Sequence, residues 1–287
     1  MLGLQRTLMS DVPQTKTNLP EFGRPPVIEV AASIQFNPIA ELDAAHLGAL
    51  WLRFRDRYPK TEQHPPLATV SETFAAPGSV GFGLSLEQRA FLTPRLWFID
   101  RSNTRLVQVQ NNRLVVNWRQ ADTDADYPRY ATLREDMEEA FRILQVYLMD
   151  EGLGEPIPDL AELTYVNHLR AGERGKPREP ISRFLRYWQD PSSSVLGSSP
   201  EEASSRVRYV MRHEGQAIGR LYVELESAYR SPNNVPIYTL NMTARGAVVD
   251  RTLAGALAFL DQAHSWIVLG FADVTTPEMH KLWERTQ

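Results

Sequence analysis

The segment from Glu162 to Leu169 (ELTYVNHL) holds the densest set of side chains able to do chemistry. An imidazole titrates near neutrality, so His168 could take or give a proton. In strand alternation Tyr165 and Asn167 share a face with Leu163 and Leu169, while Glu162, Thr164 and His168 face the other way. An asparagine turned toward a core must find hydrogen-bond partners, so Asn167 either ties the sheet to a neighbouring loop or reaches a pocket. A second carboxylate, Glu29, stands at the equivalent point of an earlier strand-like segment. Two carboxylates brought together can hold a cation or divide acid and base roles. The plainer reading is that each accepts hydrogen bonds from loop amides or pairs with an arginine. A hydrolase or transferase would rest on Glu29, Glu162 and His168.

Two further clusters combine aromatic rings with guanidinium groups: Trp118-Arg119, and Tyr127-Pro128-Arg129-Tyr130. Such a composition suits a recognition patch, with rigid aromatic area and bidentate donors. It equally suits a loop anchor stacked through cation–π contacts, and both readings stay open. Trp118, Arg119, Tyr127, Arg129, Tyr165, Asn167 and His168 are thus the candidates for binding a ligand or partner. Arg206, Arg208 and Arg212 share one strand face, but Glu224 and Glu226 are expected to face the same way, giving a balanced ion-pair surface rather than a nucleic-acid track. The six histidines are scattered with no H-x-x-x-H pair and there is no cysteine, so no metal site and no cofactor are expected. His264 falls on an apolar helical stripe and reads as a core-edge residue. The glycines of Gly78–Gly83 lack the Lys-Ser/Thr of a phosphate loop. No G-x-S-x-G elbow or dinucleotide fingerprint occurs.

The elements that must position these residues sit in a chain of 287 residues with a formal net charge of -4, 43% hydrophobic and 23% charged. That balance is globular, and a slightly acidic chain argues against a general nucleic-acid or anionic-membrane binder. No window nears ~18 uninterrupted apolar residues and the N-terminus lacks a signal-peptide pattern, so a cytoplasmic protein is expected. Residues 1–24 read as a flexible arm, with Met9 a second candidate start.

Beyond the arm, Val27–Phe36 alternates as a half-buried strand. Asp43 caps a helix bearing Leu47, Leu50, Trp51 and Phe54. Strands follow at Leu67–Phe74, Leu92–Asp100, Arg105–Gln110 and Arg113–Arg119, then a helix over Thr132–Asp150. From residue 155 the order restarts: strand Leu160–Leu169, short helix Ile181–Gln189, strands Arg206–Arg212, Gln216–Glu226 and Val235–Arg245, and a long helix from Leu253 to Phe271. A short closing helix is capped by Thr275-Thr276 ahead of Pro277. The expected class is α+β, with two pseudo-duplicated halves, 25–154 and 155–287, each running strand, helix, antiparallel strands, long helix. A curved antiparallel sheet covered on one face by two long helices resembles the TATA-binding-protein-like or helix-grip arrangement. Strands 27–36 and 160–169 should then be neighbours.

Four stretches, PPVIEVAASIQFNP, QVQNNRLVVNWR with YPRY after it, ELTYVNHL, and HSWIVLGFADVTTPEMHKLWER, together resemble a sporadically distributed bacterial family with a Pro-Pro-x-x-Glu start and a Tyr-x-Asn-His segment. The resemblance spans roughly residues 24 to 285. It implies bacterial origin and patchy distribution, and it brings no established activity or catalytic residues. The leading expectation is a non-enzymatic protein that binds a small molecule or a protein partner on or beside the sheet. An enzyme using the two glutamates and His168 is the alternative, and a nucleic-acid binder by fold analogy the second.

Overall fold

The computed structural model describes residues 19–74, 93–121, 127–173, 178–190 and 202–286. In chain order the elements are β1 (Val27–Phe36), α1 (Ala44–Trp51), β2 (Lys60–His64), β3 (Arg95–Ile99), β4 (Arg105–Gln110), β5 (Arg113–Arg119), α2 (Arg129–Asp150), β6 (Pro158–Arg170), a 3-10 turn (Ile181–Arg183), β7 (Ser205–His213), β8 (Gln216–Arg230), β9 (Val235–Ala247), α3 (Leu253–Val274) and α4 (Pro277–Leu282). All nine strands join one antiparallel sheet ordered β2-β3-β4-β5-β1-β6-β9-β8-β7. The protein is therefore α+β, with a single sheet and four α-helices among the described residues.

β1 and β6 sit side by side at the centre, as their patterns require, with Val30 opposite Tyr165 and Ala32 opposite Leu163. Outward from that pair run β5, β4, β3 and β2 on one side and β9, β8 and β7 on the other. Alternation decides which face is dry. Val30, Ala32, Ile34 and Phe36 have no solvent exposure and lie in one apolar core with the inner faces of α2 and α3. Phe36 meets Phe141 of α2 edge-on at 6.1 Å between ring centres. α1 starts where Asp43 accepts the backbone N–H groups of Ala45 and His46 at 2.9 and 3.0 Å. It buries Leu47 and Leu50 in the same core.

Three expectations change. Leu67–Phe74 is extended but belongs to no strand: its backbone is held by side chains of the sheet's other face. Gln110 accepts from Leu67 N–H and donates to Leu67 O, and Gln35 does the same with Val70. Each glutamine amide thereby imitates one rung of a strand pairing. Ile181–Gln189 is no helix beyond the 3-10 turn, because Thr276 N–H binds Phe184 O at 3.0 Å and Arg186 N–H binds Val274 O at 2.9 Å, diverting that backbone to the end of α3. Of the expected arm, residues 1–18 lie outside the described residues, and 19–24 are tied down rather than loose. Gly23 and Arg24 N–H bind Glu284 O and Trp283 O at 3.0 and 3.1 Å, and Thr286 N–H binds Glu21 O at 2.9 Å.

Candidate functional site

On the helix side of the sheet a cavity of about 420 Å3 opens beside β6. Its floor is Tyr165 and Asn167 of β6 with Val27 of β1 and Met242 of β9. α3 supplies His264, Ile267, Val268 and Phe271, and the chain entering α2 supplies Tyr127, Arg129, Tyr130 and Ala131. The segment Leu19–Phe22 with Pro25 closes the remaining wall. Phe22 holds that wall in place, edge-on to Phe271 at 5.2 Å between ring centres and 6% exposed. The volume falls in the range of small-molecule sites, which are concave, largely apolar and carry a few aimed polar groups.

The polar groups form a chain. The hydroxyls of Tyr127 and Tyr165 are 2.8 Å apart, and the Tyr165 hydroxyl lies 3.0 Å from Nδ1 of His264. Tyr130 stacks flat on the His264 ring at 4.2 Å and donates its hydroxyl to Asp261 at 2.7 Å. Arg134 braces the same carboxylate at 2.9 Å. Burial pushes the Tyr127 phenol up to about 12 and raises that of Tyr165 well above its ordinary value. Burial takes the His264 imidazole the other way, down to about 4, against the pull of Asp261. Beside the Arg134–Asp261 ion pair, the Tyr127–Tyr165–His264 run is uncharged near neutral pH. It can give and take hydrogen bonds, but it holds no group poised near pH 7 for proton transfer.

Asn167 reaches a pocket, as expected, but its tie is to the neighbouring strand β9 and not to a loop. Its Nδ2 donates to Leu240 O at 3.0 Å across the β6–β9 pair, and the residue also lines the cavity. Trp118 and Arg119, adjacent in sequence, diverge: Trp118 is buried behind Tyr127, ring centres 5.3 Å apart, whereas Arg119 projects from the opposite face and donates to Asn103 O at 2.9 Å. The cavity thus gathers Tyr127, Arg129, Tyr165 and Asn167, with Trp118 as backing, and leaves out Arg119 and His168. Its further lining, above all His264 and Phe22, escaped sequence reasoning. The position of His264 on the stripe of α3 was the one available signal.

Glu29, Glu162 and His168 do lie on the sheet face away from the helices, but they do not converge. Glu29 is level with Val166 and Glu162 with Ser33, four positions apart along β6, or ~13 Å at ~3.3 Å per residue. Each carboxylate has its own partner: Asn117 donates to Glu29 at 2.7 Å, and Arg245 donates to Glu162. His168 is a further two positions along from Val166, beside a separate groove with Arg170, Glu179 and Phe184. Its imidazole is lowered by burial and by Arg230. Of the arginines of β7, Arg206 pairs with Glu224 at 2.7 Å as expected, whereas Arg212 lies beyond a register shift and donates to Gly215 O at 2.9 Å. Among the described residues no three His, Asp or Glu side chains come together as metal ligands, and no helix is long and apolar enough to cross a membrane.

An α+β sheet with one helix-covered face and a preformed aromatic cavity defines the class of architecture here. No known protein family, curated protein or solved structure matches the chain.

Proposed function

We propose that the chain is a non-enzymatic binding protein whose cavity takes a small, largely apolar molecule. The observation that carries this reading is the combination of an aromatic-walled space with an uncharged Tyr127–Tyr165–His264 hydrogen-bond chain. Such a chain orients a guest without reacting with it. The sheet supports the reading at larger scale. Its order runs outward from a central β1–β6 pair, β5 and β4 matching β9 and β8, and the strands of each half are followed by a 22-residue helix. We take this as an internal duplication in a helix-grip style, with the cavity between the sheet and the helices. The family resemblance over residues 24 to 285, with the bacterial origin it implies, is part of the same proposal.

Tryptophol, a neutral indole alcohol, is a suitable first probe for methyl-resolved NMR. The expected result is saturable shifts confined to Val27, Met242, Ile267 and Val268. Shifts that never saturate, or that spread over the outer surface, would overturn the assignment.

A further inference from the structure

We infer that the guest is an aromatic carboxylic acid with a ring N–H or O–H, its carboxylate between Arg129 and the first turn of α2 and its ring donor on Asn167. The inference deepens the binding reading above and depends on it.

Asn167 is the first observation. The residue is 4% exposed, and its Nδ2 is used by Leu240 O, but its Oδ1 accepts nothing from the described residues. Asn167 borders the cavity, so that oxygen stands open to a donor on a guest.

The entry to α2 is the second. This 22-residue helix begins after Pro128 with no side-chain cap and no acidic residue in its first turn. Its leading residues Arg129, Tyr130 and Ala131 line the same cavity, at the end of the helix where the dipole is positive. Arg129 adds a full charge. Among the described residues it has no carboxylate partner; its contacts there are a 3.3 Å hydrogen bond to Phe22 O and the Tyr127 ring at 5.9 Å. Arg129 is held there by a left-handed backbone, φ 68°, a conformation disfavoured for any residue but glycine. Glu21 also borders the opening, exposed and with no ion pair to Arg129, so it acts against an anion. Between the Asn167 oxygen and the Arg129 end, the walls are Tyr127, Tyr130, Phe22 and Phe271, suited to a flat ring.

Calorimetric titration with three probes separates the parts. Indole-3-acetate is expected to bind at least tenfold more tightly than tryptophol, which lacks the charge. It should also bind about fivefold more tightly than 1-naphthaleneacetate, which lacks the ring N–H. In Arg129→Gly the charge preference disappears while the melting temperature does not fall, since glycine suits a positive φ. In Glu21→Gln the carboxylates bind more tightly. Equal affinity for indole-3-acetate and tryptophol, unchanged by Arg129→Gly, would overturn the anion site while leaving a neutral-ligand cavity intact. Equal affinity for the two acetates would overturn the role of Asn167. Failure of all three probes to bind overturns the inference together with the binding reading.

Discussion

Tyr165 joins floor and wall of the cavity through one hydroxyl, which meets both Tyr127 and His264. Tyr165→Phe keeps the ring and its packing but strands two polar neighbours, so a loss of ~1–2 kcal/mol is expected in urea unfolding, with the sheet intact. His264 gives the site a pH signature. Its imidazole is held at about 4 when folded against an ordinary 6.5. Between those values the unfolded chain binds a proton that the folded chain refuses, so stability rises with pH through this window. The contribution is complete above about pH 6.5 and is lost as pH falls toward 4; with ~1.4 kcal/mol per pH unit it amounts to at most ~3.5 kcal/mol. In His264→Phe the denaturation midpoint is expected to be lower at pH 7 but flatter between pH 6.5 and 4. An unchanged slope in the variant would place the acid sensitivity elsewhere.

At the scale of elements, Gly246 marks a close approach of β9 to both β8 and α3. A Cβ on Gly246 would sit 2.2 Å from Ile218 O and 2.4 Å from the ring of Phe259 on α3. Gly246→Ala should cost ~2 kcal/mol or more in equilibrium unfolding, and trimming Phe259 to Ala should not restore it because the nearest atom is backbone. The same elements show what a sequence discloses. β1, β4 and β5 were readable to the residue, since β1 alternates and Asn111-Asn112 marks the turn between the apolar runs of β4 and β5, which are buried on both faces. The polar strand β2 (KTEQH) was not, because an exposed edge strand needs no apolar alternation. Leu67–Phe74 and Ile181–Gln189 misled for a shared reason: local pattern reports which side chains want burial, not which distant groups capture the backbone. Gln35 and Gln110 capture the first, Val274 and Thr276 the second. Of the cavity, Tyr127, Arg129, Tyr165 and Asn167 were legible from residue type and strand parity. Phe22 was not, since its place depends on pairing with Arg285 across almost the whole chain.

At the scale of the molecule, the two ends of the described chain lace together beside the cavity, and the sheet centre forms its floor. Stability and site are therefore built from the same contacts, and variants that weaken Phe22 or Tyr165 will lower both. A variant that fills the space separates the two properties. Val268 on α3 lines the cavity, with open volume of about 420 Å3 in front of it. Val268→Trp places an indole of the protein's own where a guest would lie. The most direct measurement is paired calorimetric titration and thermal unfolding of Val268→Trp beside the unaltered protein, with indole-3-acetate as the probe. The account predicts a melting temperature equal to or above that of the unaltered chain, because added apolar surface is buried in existing space, together with binding weakened at least tenfold. Undiminished binding by a stably folded Val268→Trp protein would contradict the claim that this cavity is the site.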